Sequence, residues 1–149
     1  MANQLYIVGC DGGEWGERAA TCAVNFAKTS GAKIKFVHAI DYTGMRPISI
    51  EEIINTPPER EAEERRAKEE VLAPLLDKYA DSDVEIDSGF AWGNPAEVLH
   101  DEAERLDANV IFVGRHGRSS FADMLLGSAA NKIAHMANIP VVLVPEDKH

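Results

Sequence analysis

The stretch that most constrains the fold runs from Asn109 to Pro145, near the end of a chain of 149 residues. Two apolar runs, Val110–Val113 and Val141–Val144, flank a connection with several glycines and one amphipathic segment. Strand, loop, helix and strand in this order form a crossover unit, whose strands are parallel and buried on both faces. The segment therefore predicts an α/β domain built around a parallel sheet.

The rest of the chain repeats this alternation of apolar runs and helical patterns. Short apolar or alternating runs predict three further strands, Gln4–Gly9, Lys33–Ala39 and Asp83–Ser88. Apolar residues at helical spacing predict three further helices, Glu14–Ser30, Glu59–Ala80 and Ala96–Leu106. Pro74 is expected to bend or tighten the second of these helices, because proline lacks a backbone N–H. The alternation predicts a single domain over residues 1–149.

The connection that follows Val110–Val113 carries residue types that suit an anion. Gly114 and Gly117 lack a Cβ, so the backbone can approach a ligand closely and its N–H groups can converge on phosphate oxygens. Gly127 and Ser128 are predicted to begin the next helix, where unpaired N–H groups, a hydroxyl and the positive end of the helix dipole attract negative charge. The connection therefore predicts a phosphate site, although the same glycines also suit a purely structural turn.

Cationic side chains lie beside these glycines in the sequence. Arg115, His116 and Arg118 are opposed by a single carboxylate within the connection, that of Asp123. In a chain whose net charge is −10, a local positive pocket is what a polyanionic ligand requires. The cations therefore support the phosphate interpretation.

The spacing of the glycines distinguishes this loop from two common nucleotide motifs. No Gly-Lys-Ser/Thr follows, as a P-loop requires, and GxxG differs from the dinucleotide fingerprint GxGxxG. The pattern Gly114-x2-Gly117-x9-Gly127-Ser128 instead resembles the ATP-binding signature of the universal stress protein family. The resemblance implies that the phosphates and ribose of ATP contact this signature and its neighbours. The implied site residues are Val113, Gly114, Arg115, Gly117, Arg118, Gly127, Ser128 and Ala129.

The end of the first strand carries a second match to the same family. The run IVGCDGG resembles a family form in which Asp-Gly-Ser follows the strand. The resemblance implies that Cys10 and Asp11 contact ATP, with Asp11 at adenine or the neighbouring ribose, and that the backbone at Ala39 contacts adenine. Gly13 replaces the serine of that form, which leaves the helix start without a good cap at this position. The alternative is that Asp11 only caps the helix.

A third match, Gly93-Asn94-Pro95, precedes a helix and is expected to shape the sheet edge rather than touch the ligand. With three matches in order, the resemblance covers Gln4 to Pro145. It implies an open, Rossmann-like sheet of five parallel strands in the order 3-2-1-4-5, with four helices on both faces. It also implies a homodimer through the edge strand Val141–Val144, because an unpaired edge favours association.

Composition and the cysteines exclude several other functions. A pI of about 4.9 argues against binding to nucleic acid or to an anionic membrane. No apolar run reaches the length of a membrane span and no signal peptide is evident, so the cytoplasm is the expected location. Cys10 and Cys22 form neither a CxxC pair nor a disulfide framework and are expected in the core. His38 is expected to be packed or hydrogen-bonded, and no protein metal site is predicted.

The segment Asp41–Pro58 is too long for an ordinary connection. One interpretation is a mobile flap over the nucleotide, from which Arg46 contacts phosphate. The other is a loop that packs on the surface or against a partner subunit.

The leading functional hypothesis is a cytoplasmic stress-response module that binds ATP, with Mg²⁺ held mainly by phosphate oxygens and water. ATP occupancy would bias a conformation or dimer state that an unknown regulatory protein recognises. No catalytic residue is assigned. One alternative is a slow ATPase or phosphotransferase, with His116 or Asp123 as the base. Another is a nucleotide-free interaction module of the same family, against which the retained glycines and Ser128 argue.

Overall fold

The computed structural model describes residues 3–41, 57–116 and 126–146. The predicted flap Asp41–Pro58 lies outside this part of the chain except at its two ends. The site predictions for Arg46, Gly117, Arg118 and Asp123 fall outside it as well.

Five strands form one parallel sheet in the order β3-β2-β1-β4-β5. They are β1 Leu5–Gly9, β2 Lys33–Ile40, β3 Ile86–Trp92, β4 Val110–Gly114 and β5 Val141–Val144. The central strand β1 pairs with β2 in the register Leu5↔Lys33 and with β4 in the register Tyr6↔Val110. The predicted strand order and direction are both confirmed.

Helices connect these strands, and four lie in the described part of the chain. They are α1 Glu14–Ser30, α2 (which combines Pro57–Arg66, Ala67–Leu72 and Ala73–Lys78), α3 Pro95–Arg105 and α4 Ser128–Met136. The bounds of α1 are those predicted. It ends at Gly31, whose φ of 78° lets its N–H donate to the Ala27 carbonyl at 2.8 Å.

The middle of α2, Ala67–Leu72, is a π-helical turn. Here the N–H of Ala73 donates to the carbonyl of Lys68, five residues back instead of four. In a regular α-helix the ring of Pro74 would clash with the carbonyl of Glu70, and the wider turn relieves that clash. The helix is thus distorted beside Pro74, but as a widened turn before the proline and not as the predicted bend or tightening.

Helices cover the sheet on both faces. α1 and α2 pack on one face around buried side chains such as Phe36 and Phe112. α3 and α4 pack on the other face, where Ile7, Ile111 and Ile133 are fully buried. The interior strands are thus buried on both sides, as expected for a parallel sheet. None of the helices in the described residues is both long and apolar enough to cross a membrane.

The third strand is where the sequence prediction is wrong. β3 spans Ile86–Trp92, whereas the alternation of apolar residues predicted Asp83–Ser88. Val84 is half-buried and packs against the core from the turn before the strand, so the alternation begins too early. Pairing with β2 sets the real bounds, because it draws weak strand formers such as Gly89 into the sheet.

Candidate functional site

The carboxyl ends of β1 and β4 lie side by side in the middle of the sheet. From β1 the chain continues to β2 on one side, and from β4 it continues to β5 on the other. A switch point of this kind opens a crevice at the carboxyl edge of the sheet, where α/β proteins bind ligands. Asp11 follows β1 and Gly114 ends β4, so the fold brings the two predicted motifs to one crevice.

Asp11 caps the start of α1. Its Oδ1 atom accepts hydrogen bonds from the backbone N–H groups of Gly13 at 2.9 Å and Gly16 at 3.3 Å. Gly13 occupies the N-cap position and supplies no side-chain cap, so Asp11 takes over the role of the missing serine. The capping role of Asp11 is therefore present in the structure, and the predicted ligand contact would come in addition to it.

Gly16 is a site residue that the sequence prediction missed. A Cβ at this position would lie 2.7 Å from Oδ1 of Asp11 and 2.8 Å from the Asp11 backbone nitrogen. The first turn of α1 therefore approaches the β1 loop so closely that only glycine fits without a shift. The available signal was a glycine within a helical turn, where this residue is otherwise unfavourable.

Cys10 holds the start of the β1 loop through its backbone. Its N–H donates to the Val37 carbonyl at 2.9 Å, and its own carbonyl oxygen lies 2.6 Å from Nδ1 of His38. Because a carbonyl can only accept, Nδ1 carries the proton. Desolvation by burial, and then the charge of Asp11, raise the pKa of the Cys10 thiol far above its ordinary value. The predictions of a core Cys10 and a hydrogen-bonded His38 are confirmed, and the predicted ligand contact of Cys10 stays a prediction.

The exit of β4 is tied to the start of α4. The N–H of Arg115 donates to the Val144 carbonyl at 2.8 Å, and the Arg115 carbonyl accepts from the Gly127 N–H at 2.9 Å. The connection after β4 therefore returns to the point that it left. The structure thus brings together, as predicted, two pairs that are separate in sequence, Gly114-Arg115 and Gly127-Ser128.

The amino end of α4 differs electrostatically from those of the other helices at this edge. It begins at Ser128 as predicted, its N-cap Gly127 supplies no side-chain cap, and its first turn holds no acidic residue. By contrast, α1 has Glu14 and Glu17 in its first turn, and α3 is capped by Asn94. The partial positive charge at the amino end of α4 is thus not neutralised by an acidic side chain in its own first turn, which favours an anion from outside the helix.

Gly114 packs against the first turn of α1. A Cβ on Gly114 would lie 2.7 Å from Cβ of Trp15, 2.9 Å from the Trp15 carbonyl oxygen and 3.1 Å from the His116 carbonyl oxygen. Glycine is therefore needed at position 114 for close packing on α1, and the predicted approach of its backbone to a ligand stays a prediction. Val113 is buried beside Gly114, and Ala129 is half-buried in the first turn of α4.

His116 is not the exposed cation that the sequence suggested. Its side chain is 5% exposed, and its ring meets that of Trp15 edge to face, with centroids 4.8 Å apart and planes at 68°. Within the described residues its Nδ1 atom has no hydrogen-bond partner. The contact with Trp15, which local sequence could not reveal, buries the imidazole against the first turn of α1.

The end of β2 forms another side of the crevice. Ala39 is half-buried there, and the carbonyl of the next residue, Ile40, accepts a hydrogen bond from the Gly93 N–H at 3.1 Å. Asn94 then caps α3 by accepting from the N–H groups of Ala96 and Glu97. Gly93-Asn94-Pro95 thus shapes this edge of the sheet, as predicted.

One cavity lies beside the β1 loop, and a larger groove lies at the other edge of the sheet. A space of about 60 Å³ between α1 and α2 is bordered by the β1 loop, including Cys10 and Gly12, and is too small for a nucleotide. A groove of about 550 Å³ lies at the opposite edge of the sheet, beside Lys28, Lys33 and Glu85. None of the predicted site residues borders that groove, and the convergent backbone groups lie at the carboxyl edge instead.

Comparison with known proteins gives a family match over almost the whole chain. The model of the universal stress protein family matches residues 6–145. Universal stress protein YxiE of Bacillus subtilis is 26% identical over 148 residues, which cover 97% of this chain and 99% of that protein. A universal stress protein of Mycolicibacterium smegmatis is 32% identical over 139 residues, which cover 93% of this chain and 44% of that protein. The chain thus spans about half the length of this second relative.

Solved structures of similar proteins share the fold. Universal stress protein UspA from Lactobacillus plantarum gives a TM-score of 0.81 at 20% identity, over 97% of this chain and 99% of that one. A universal stress protein in complex with cAMP gives 0.63 at 24% identity, over 97% and 98% of the two chains. The Archaeoglobus fulgidus protein in complex with dAMP gives 0.64 at 21% identity, over 96% and 98%.

Proposed function

Because the chain belongs to the universal stress protein family, we propose that it binds ATP, with Mg²⁺, as a regulatory module of the stress response. One observation carries the proposal. The uncapped amino end of α4, with no acidic residue in its first turn, is held beside the exit of β4 at the switch point of the sheet. Backbone N–H groups and a positive helix end at such a point suit a polyphosphate.

The proposed pose uses the three sides of the crevice. Adenosine lies against Asp11 and the backbone at Ala39, and the phosphates lie on Gly114, Gly127 and Ser128. The sequence predicts further phosphate contacts at Gly117, Arg115 and Arg118. Within the described residues no three side chains are grouped as a metal site, so Mg²⁺ would be held by phosphate oxygens and water.

Two structural neighbours support an adenine nucleotide as the ligand. One of these proteins was solved in complex with cAMP and the other with dAMP, and both ligands contain the adenine base and one phosphate. A crevice with a base-contacting edge and an anion-binding helix end accommodates this shared chemistry. ATP is our proposal within that class.

We propose binding without significant turnover. The candidate base His116 is almost fully buried against Trp15, and a buried ring is poorly suited to orient an attacking water. Asp123, the other candidate, lies outside the described residues. We expect any slow hydrolysis to arise from phosphate stabilisation. Both cysteines are free thiols, which agrees with the cytoplasmic location that the proposal assumes.

Ser128→Ala is expected to weaken ATP–Mg²⁺ binding by about tenfold or more, because a hydrogen bond to a charged group contributes roughly 1.5–3 kcal/mol. The hydroxyl is exposed at the first turn of α4, so the stability of the fold is expected to stay unchanged. Isothermal titration calorimetry of wild type and variant measures the difference. Thr29→Ala is the control, because it removes an exposed hydroxyl in the last turn of α1, away from the crevice. It is expected to bind ATP–Mg²⁺ like wild type.

The same titration can refute the proposed function. If the wild type gives no heat with ATP–Mg²⁺, and an extract of freshly purified, denatured protein contains no nucleotide, the protein is not an ATP-binding module. The alternative of a nucleotide-free interaction module would then stand.

We also propose that the protein is a homodimer through β5. Three of the four β5 residues are only half-buried, although their side chains are as apolar as those of β4. Phe26 is 51% exposed and packs on Phe112, which is in register with Val142 of β5. Leu126, 40% exposed, precedes Gly127 near the other end of the strand. An unpaired edge flanked by exposed apolar side chains suits a second copy of the same edge, related by a two-fold axis.

Phe26→Asp is expected to shift the protein from dimer to monomer at micromolar concentration, because the charge would be desolvated in the apolar contact. Analytical ultracentrifugation measures the mass. Ala91→Asp places the same charge at an exposed position of β3, the other free edge, and is expected to leave the dimer intact. Dissociation of the Ala91 variant but not of the Phe26 variant would move the interface to β3.

A further inference from the structure

Trp15 and His116 join the two sides of the crevice, and this observation deepens the proposed nucleotide function, on which the inference rests. We propose that they are positioning residues: their paired rings hold the exit of β4 against the first turn of α1. The adenosine side and the phosphate side of the site then form one prearranged unit. Neither residue needs to touch the nucleotide for this role.

The contact between the two residues is specific in its geometry. The rings meet at 4.8 Å and 68°, which is the edge-to-face arrangement that aromatic pairs favour. The imidazole is almost fully buried, and Gly114, two residues earlier, lies directly on the Trp15 backbone. Backbone and ring contacts together pack the β4 exit closely against α1.

Trp15 is itself fixed from a second direction. The guanidinium of Arg18 lies 4.9 Å from the centre of the Trp15 ring, and Arg18 also pairs with Glu14 at 3.4 Å. A cation over the face of tryptophan and an imidazole at 4.8 Å hold the indole from two directions. The indole is therefore anchored on α1 before any ligand arrives.

Hydrogen bonds extend this contact to the predicted ligand-binding groups. On one side Asp11 binds the N–H of Gly16, the residue next to Trp15. On the other side Arg115, the residue next to His116, accepts from Gly127 at the start of α4. The ring pair thus lies between Asp11 and the helix end that would hold phosphate. Prearrangement of binding groups raises affinity because less ordering is left to the binding step.

The role requires a ring at position 116 rather than a titratable nitrogen. Within the described residues the Nδ1 atom of His116 is buried and has no partner, which is a cost rather than a contribution to stability. Phenylalanine would keep the edge-to-face contact with Trp15 without that cost. Replacement by alanine or leucine would remove the aromatic contact.

The test uses the wild type, Trp92→Phe, and position-116 variants in the Trp92→Phe background. Trp92→Phe leaves Trp15 as the sole fluorophore of the chain's two tryptophans. Because the ring pair is formed before the ligand arrives, the Trp15 emission maximum of the free protein is expected to shift to longer wavelength in His116→Ala, where the indole becomes more hydrated, and to stay near that of Trp92→Phe in His116→Phe. His116→Ala is expected to weaken binding on the order of tenfold, and His116→Phe to restore it to within about threefold of wild type. A role in folding alone would lower the free energy of unfolding of His116→Ala but leave the affinity of the folded variant for ATP–Mg²⁺ unchanged.

Each outcome decides between the proposals. If the wild type binds ATP–Mg²⁺ but a folded His116→Ala variant binds equally well, or His116→Phe binds as weakly as His116→Ala, the positioning role is wrong and the nucleotide function stands. If the wild type binds no nucleotide, both proposals fail. Should His116→Ala not fold, His116→Leu fills most of the space without an aromatic edge. It is expected to bind as weakly as the alanine variant, and wild-type affinity in it would overturn the inference.

Discussion

Gly114→Ala is expected to lower the free energy of unfolding by about 3 kcal/mol, at the upper end of the usual cost of overpacking. The added Cβ would lie 2.7 Å from Trp15 Cβ and 2.9 Å from the Trp15 carbonyl oxygen. These atoms belong to or adjoin the backbone of α1 and cannot rotate away, so either the helix or the exit of β4 must shift. The shift would also displace Arg115 and its bond to Gly127. ATP binding is therefore expected to fall together with stability.

Urea denaturation followed by circular dichroism measures the stability change. Gly89→Ala is the matched control, because its Cβ would meet only the Lys35 side chain, at 3.2 Å from Cε. The Lys35 side chain is paired with Glu102 at 2.6 Å but has to shift by only a few tenths of an ångström, so the control is expected to stay within about 1 kcal/mol of wild type. Equal stability of the two variants would show that the approach of Gly114 to α1 is looser than the structure indicates.

Asp11→Ala is expected to act on stability and on binding at once. Loss of the bonds to Gly13 and Gly16 removes the cap of α1, which costs about 1 kcal/mol. Loss of the proposed contact with adenosine is expected to weaken ATP binding by a further tenfold or more. Denaturation and calorimetry on the same preparation separate the two effects.

Asp11→Asn distinguishes the capping role from the ligand role. Asparagine keeps an oxygen acceptor and is as good a cap as aspartate, so stability is expected to remain within about 0.5 kcal/mol of wild type. The carboxylate charge is lost, and ATP binding is expected to weaken on the order of tenfold, since charged acceptors form the stronger hydrogen bonds. Wild-type affinity in the Asn variant would reduce Asp11 to a helix cap.

Much of the site's location follows from the chain alone. Gly114 and Gly127 mark where a strand ends and a helix begins, and both positions are confirmed. The order of strands then brings the Asp11 loop and the Gly114 loop to one edge. The ligand contacts at these residues stay predictions, which the titrations above address.

Other features could not be read from local patterns. The buried state of His116 depends on Trp15, which lies at the opposite end of the chain. The need for glycine at position 16 depends on where Asp11 turns back onto the helix. A charged or polar residue type in a loop predicts exposure, and tertiary contact reverses that prediction for His116.

The sequence by itself determined the type and order of the elements, because hydrophobic periodicity, glycine stops and helix caps act within a few residues. α1, with its stop at Gly31, and β5 show this most clearly, since both have the predicted bounds. The tertiary structure alone decided the bounds of β3, the burial of His116 and the close approach of Gly114 to Trp15. These depend on which surfaces meet across the sheet, and such contacts join residues that are distant in the chain.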